Sequence, residues 1–80
     1  MDLSKAIAKR ICNLCAERNI TVNKLSTICG ITQSTIDYAI KTKNSKTTVS
    51  TIKKICDGLN MTLAEFFDTE DFNNLEQEII

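Results

Sequence analysis

The chain has 80 residues, with ten Lys and Arg against ten Asp and Glu, four cysteines, no histidine and no proline. A domain of this size buries only about 60–65% of the surface its unfolded chain exposes, which leaves little room for an enclosed cleft; with no histidine, no face of paired carboxylates and no glycine-rich phosphate loop, an enzyme is not expected. No basic-then-apolar leader and no apolar run of about 18 residues is present, so the reading is cytoplasmic, with neither a secretion signal nor a membrane span.

The zero net charge conceals an asymmetry. Residues 1–67 carry all ten bases with five acids, whereas 68–80 carry five acids and no base. Between Tyr38 and Lys54 stand five lysines (Lys41, Lys43, Lys46, Lys53, Lys54) and no acid. Such a field attracts a polyanion; a solvated lysine face is the plainer alternative. Cys12 and Cys15 form a C-x-x-C, but no second pair follows and both fall inside a helical pattern. At i and i+3 on a helix their Cβ atoms stand about 5–6 Å apart, beyond the roughly 3.5–4.5 Å of a disulfide. No metal and no cofactor is expected, and the thiols read as reduced and mostly packed inside.

With no proline and with glycine only at Gly30 and Gly58, the chain reads as all-α. A first helix runs from about Leu3 to Arg18 with Leu3, Ile7, Ile11 and Leu14 on one stripe and Ala8 and Cys15 at its edge. Thr21 caps a second, Val22 to Cys29, with Leu25, Ile28 and Cys29 inward. Gly30 supplies a left-handed exit, Ile31 plugs the corner, and Thr32 caps a third helix from Gln33 to Lys41. Its inward stripe is Ile36, Ala39 and Ile40, leaving Ser34, Thr35, Asp37, Tyr38 and Lys41 outside. Thr42 to Thr47 is a basic loop. Thr48 caps a fourth helix to Leu59 with Val49, Ile52, Ile55, Cys56 and Leu59 inward, and Asn60 takes a left-handed exit. Thr62 to Glu65 matches a capping box before a short fifth helix ending near Phe67. Residues 68–80 form an acidic tail with a weak helical stripe, Phe72, Leu75 and Ile79.

Two short helices joined by a glycine turn, the second polar at its start, are the sequence form of a helix-turn-helix. The stretches "RICNLCAERNIT", "LSTICGITQSTIDYAI" and "VSTIKKICDGLNMTLAEFF", in that order and spacing, resemble the Xre/Cro-type helix-turn-helix family of phage-repressor-like regulators over about Ile7 to Phe67. The resemblance implies a compact five-helix bundle over residues 1–67 whose third helix enters the major groove of DNA. It makes Gln33, Ser34 and Tyr38 the base-reading candidates, because side chains at the start of a recognition helix must donate and accept hydrogen bonds at base edges. Thr32, Lys43, Asn44 and Lys46 become the phosphate clamp, and Arg10 matches a position that often approaches a phosphate. Each also has a plainer reading: Gln33 as an ordinary helix-start residue, Tyr38 as a partly packed aromatic, the lysines as loop residues.

The chain departs from the family pattern in three ways. Val22 stands where many members have a phosphate-holding glutamine. The loop after Lys43 is one residue longer, with Thr47 where proline is common. Cys15 and Ile40 replace a buried arginine and glutamate; losing one partner would strand a charge at a cost of about 3–5 kcal/mol, whereas replacing both can be neutral. The implied function is a sequence-specific DNA-binding regulator, a small repressor of phage, prophage or mobile-element type. It binds double-stranded DNA as a homodimer, because one module reaches one half-site, and no small-molecule substrate is evident. The competing reading is a protein-contact module such as an antitoxin or adaptor. The tail either packs Phe72, Leu75 and Ile79 on a second subunit or lays its acids over the lysine-rich face. Dimer packing is favoured, since an apolar stripe has no use in a purely electrostatic shield.

Overall fold

Each helix of the first five starts where a side-chain oxygen is available to a free backbone amide. In the computed structural model, which describes residues 1–79, the helices are α1 (Leu3–Glu17), α2 (Val22–Cys29), α3 (Gln33–Lys41), α4 (Val49–Gly58), α5 (Leu63–Phe67) and α6 (Glu70–Asn73). Asp2 accepts from Lys5 N, and Thr21, Thr32, Thr48 and Thr62 each accept from the backbone amide three residues on. Thr62 and Glu65 complete a reciprocal capping box. The backbone amides bonded to them hold the Asp2 and Glu65 carboxyls below the usual carboxylate range. A lowered folded-state pKa gives stability that is present above the unfolded pKa and is lost as pH falls through the folded one; both caps therefore work at neutral pH and fail in acid.

The helix ends follow the same local logic. Asn19, Gly30 and Asn60 take positive φ at the exits of α1, α2 and α4, and Ile20, Ile31 and Met61 then donate back to Cys15, Ser26 and Cys56 carbonyls. Packing closes the bundle: α1 lies on α2, α3 and α6, α2 on α3 and α4, and α4 on α5. The shared core is Ile7, Ile11, Leu14, Cys15, Leu25, Ile36, Ala39, Ile52, Ile55, Cys56, Leu59 and Phe66, with Ile40, Met61, Leu63, Phe67 and Phe72 against it. Cys15 and Ile40 thus both supply apolar surface where the family pattern has a charged pair. Burial pushes the Cys15, Cys29 and Cys56 thiols up, which makes them packing groups rather than nucleophiles at neutral pH. Cys12 is exposed.

Four expectations about facing are corrected. Leu3 is exposed, while Ala6 is buried. Ile28 is 40% exposed while Ser26 is buried, its hydroxyl satisfied by the Asn23 carbonyl at 2.7 Å. Val49, the first residue of α4, is 64% exposed. Phe72, for which packing on a second subunit was the favoured of two expectations, packs within its own chain at 4.9 Å from Phe67 and 6.1 Å from Phe66.

At Gly58 α4 comes close against the end of α2. A Cβ there would meet Cys29 Sγ at 2.6 Å, Cys29 Cα at 3.1 Å and Ile28 Cγ2 at 3.2 Å. Because one of these atoms is backbone, Gly58→Ala should destabilise the domain by about 1–3 kcal/mol despite alanine's better helix propensity. Urea denaturation checks this. An alanine variant as stable as the parent would mean that the helices part without cost.

Candidate nucleic-acid interface

The turn between α2 and α3 is built by Gly30, whose φ of 67° is open to glycine at no steric cost. Its amide and that of Ile31 both bond the Ser26 carbonyl, so the chain reverses tightly and delivers Thr32 as the cap of α3. Thr32 Oγ1 accepts from Thr35 N at 3.2 Å and lies 2.9 Å from Thr35 Oγ1. When Thr35 donates in that pair, the Thr32 proton is free for an outside acceptor. Beyond the cap, the amides of Gln33 and Ser34 precede the first intrahelical bonds, and both side chains are exposed. The first turn of α3 contains no acid, so nothing offsets the positive end of its dipole. Asp37, one turn on, is 3.6 Å from Lys41 and keeps its charge paired away from that end.

Tyr38 links this helix to the loop that follows. Its ring is 44% exposed, and its hydroxyl accepts from the Lys46 amide at 3.1 Å. Thr42 N donates to the Tyr38 carbonyl and Ser45 Oγ to the Ala39 carbonyl, while Asn44 turns the loop with a φ of 58°. Residues 42–47 are thereby folded over the end of α3, with Lys43, Asn44 and Lys46 exposed. Lys43 and Lys41 also line a shallow groove of about 200 Å³ together with Lys5 of α1. Lys5 joins this basic surface although 36 positions separate it from Lys41, a proximity with no signal in the sequence.

The basic stretch does not act as a unit. Lys41 is paired with Asp37 and Lys53 with Asp57, which leaves Lys43, Lys46 and Lys54 without an acidic partner among the described residues. Both arginines are used internally. Arg18 donates to the Leu59 carbonyl at the end of α4. Arg10, expected at a phosphate, instead donates from Nε to the Phe66 carbonyl at 2.7 Å and from an amino group to the Glu65 carbonyl at 2.9 Å, with its guanidinium 5.8 Å from the Phe66 ring. The guanidinium satisfies the Phe66 carbonyl and shares that of Glu65 with the Asp68 amide, capping the end of α5 with two charge-assisted bonds. Arg10→Met should therefore cost about 1.5–3 kcal/mol of stability with no change in the salt dependence of DNA binding by the folded protein. A lowered salt slope at unchanged stability would return Arg10 to the phosphate set.

No group of three or more His, Cys, Asp or Glu that could hold a metal occurs among the described residues, and no helix is long and apolar enough to cross a membrane.

Comparison with known proteins gives two findings. The model of the Cro/C1-type HTH DNA-binding domain matches residues 10–71. Among solved structures, the crystal structure of the prophage Lp1 protein 11 superposes with a TM-score of 0.81 at 26% identity, covering 94% of this chain and all of that one. No curated protein matches the sequence. An all-helical bundle with a glycine-turned helix pair, a polar second helix and a family match spanning most of the chain lead to one assignment: this protein belongs to the Cro/C1-type helix-turn-helix DNA-binding family.

Proposed function

We propose that the chain is a sequence-specific transcriptional regulator, a small repressor of phage or prophage type that acts in the cytoplasm as a two-fold homodimer. The observation that carries this reading is the first turn of α3: Gln33 and Ser34 are exposed beyond a threonine cap, no acid stands in that turn, and the unpaired Lys43 and Lys46 lie in the adjoining loop. The prophage origin named for the structural neighbour supports the biological class.

In this reading α3 enters the major groove by its N-terminal end. The Gln33 amide can accept and donate at once, which matches the N7 and N6 edge of adenine. Ser34 reads beside it. Tyr38 has its ring and its own hydroxyl proton left for a base edge, because the bond from Lys46 uses the oxygen as acceptor. Thr32 and the first-turn amides take one phosphate through the helix dipole; Lys43, Asn44, Lys46 and, from α1, Lys5 take others as point charges. Tyr38 has a second task in setting the loop, so reading helix and clamp are fixed relative to each other.

One such module covers one half-site, so two copies on a two-fold axis would require half-site centres about 34–36 Å apart, one helical turn of DNA. Selection of bound duplexes from a random pool should return a near-palindrome with that spacing, bound with steep salt dependence. Retention of no duplex above background would set the reading aside in favour of a protein-contact module.

A further inference from the structure

The acidic tail folds back along α1 and stops beside the loop that holds the proposed clamp. Phe72 seats it against Phe66 and Phe67, Lys9 Nζ is 3.0 Å from Asp71, and the Glu76 amide donates to the Met1 carbonyl at 3.3 Å. From that point residues 76–78 line a groove of about 570 Å³ together with Asn44, Lys46 and Thr47 of the loop and with Asp2, Leu3 and Ser4 at the start of α1. Glu76 lies 3.6 Å from the Met1 amine, and Glu78 has no cationic partner among the described residues. Glu76 and Glu78 of the tail thus share a groove with residues assigned to phosphate, as Asp2 does, and none of the three is locked to Lys46 by an ion pair.

We propose that residues 75–79 are an acidic strap that competes in cis with the DNA backbone for the 44–47 loop. The inference rests on the reading of that loop as a phosphate clamp. A phosphate approaching Lys46 from the groove side meets Glu76 and Glu78 as well, so binding requires the strap to move away or to accept like-charge repulsion. The strap is suited to moving. Its anchor is Phe72, and of the apolar residues in the strap Ile79 is 81% exposed, so a swing of residues 75–79 uncovers one partly buried apolar side chain, Leu75. The composition agrees with this arrangement, since the five acids of the tail equal the excess of bases over acids in the rest of the chain. The consequence is a regulator with weakened hold on arbitrary duplex, whose affinity rises when the strap is neutralised or displaced.

The test compares two charge-matched variants of the full chain by fluorescence anisotropy on random-sequence duplex over a range of salt. Glu76→Gln with Glu78→Gln removes two charges at the groove; Asp68→Asn with Glu70→Gln removes two from the same tail away from it. The groove variant should bind about 3- to 10-fold tighter than the parent at low salt, with the gain shrinking as screening increases, and the control should gain less than about 2-fold. Equal gains in both variants would reduce the effect to net charge and overturn the strap, and so would an unchanged groove variant. Lys43→Ala with Lys46→Ala, measured alongside, distinguishes failure of the strap from failure of the clamp. If that variant loses affinity while the groove variant matches the parent, the strap alone fails. If the parent binds no duplex, or the lysine variant binds as well as the parent, the clamp reading fails and takes the strap with it.

Discussion

Phe66→Ala should lower the unfolding free energy by about 3–5 kcal/mol, the range for emptying a well-packed aromatic site. A core this small rarely supplies much more than about 3–5 kcal/mol in net terms, so the variant should be largely unfolded at about 37 °C. Phe66 is fully buried and edge-on to Phe67 at 4.9 Å, and Phe72 rests against the same pair. Its loss would leave a cavity where α5 packs on α4 and would remove the ring beneath the Arg10 guanidinium of α1. It would also unseat Phe72, and with it α6 and the strap. Val49→Ala is the natural comparison: Val49 is 64% exposed and its truncation should stay within about 0.5 kcal/mol of the parent. Thermal and urea denaturation of the two variants measure the contrast. A Phe66 variant as stable as the Val49 variant would mean that the aromatic cluster is not the keystone of the bundle.

What could be read from the sequence divides by range. The helix starts at Thr21, Thr32, Thr48 and Thr62 and the exits at Gly30 and Asn60 were legible, because a cap or a left-handed turn is decided within about four or five residues. The bounds of α2 and α3 follow from these signals, and α1 and α4 end one residue earlier than their apolar stripes suggested. Facing was harder. Ile28, Val49 and Leu3 fit the apolar stripe of their helices, yet which part of a stripe is covered depends on where the neighbouring helix crosses, and that is not a local property. Ser26 could be buried because its hydroxyl found the Asn23 carbonyl, a bond that hydrophobicity does not register.

The candidate interface shows the same division. Gln33 and Ser34 were visible as a polar helix start, and the 42–47 loop as a run without an apolar anchor. The bond from the Lys46 amide to the Tyr38 hydroxyl spans eight residues and gives Tyr38 a structural role that its position on the helix did not suggest. The places of Arg10 and Lys5 were illegible for a non-local reason: Arg10 meets carbonyls 55 and 56 positions away, whereas Lys5 is brought beside Lys41 and Lys43 by the packing of α1 on α3. The cysteines invited a metal reading by spacing alone; three of them instead supply packing volume between α1, α2 and α4.

If α3 reads bases while the following loop holds phosphates, substitutions within that one surface separate the two roles. Gln33→Ala removes hydrogen-bonding groups aimed at a single base pair, so on the selected operator it should cost about 1–3 kcal/mol for each half-site and relax the preference at that one position. Its affinity for random duplex should barely change. Lys43→Ala and Lys46→Ala each remove a charge set against phosphate, so binding should weaken on every sequence. The slope of log affinity against log salt should become shallower by about 0.9 for each phosphate that is no longer neutralised, twice over in a dimer. The decisive measurement is the ratio of operator to random-duplex affinity for Gln33→Ala beside the parent, in one salt series. A ratio that collapses while random-duplex affinity holds is the expected result; a ratio that stays at the parental value, whether binding weakens uniformly or not at all, would show that α3 is not the reading helix.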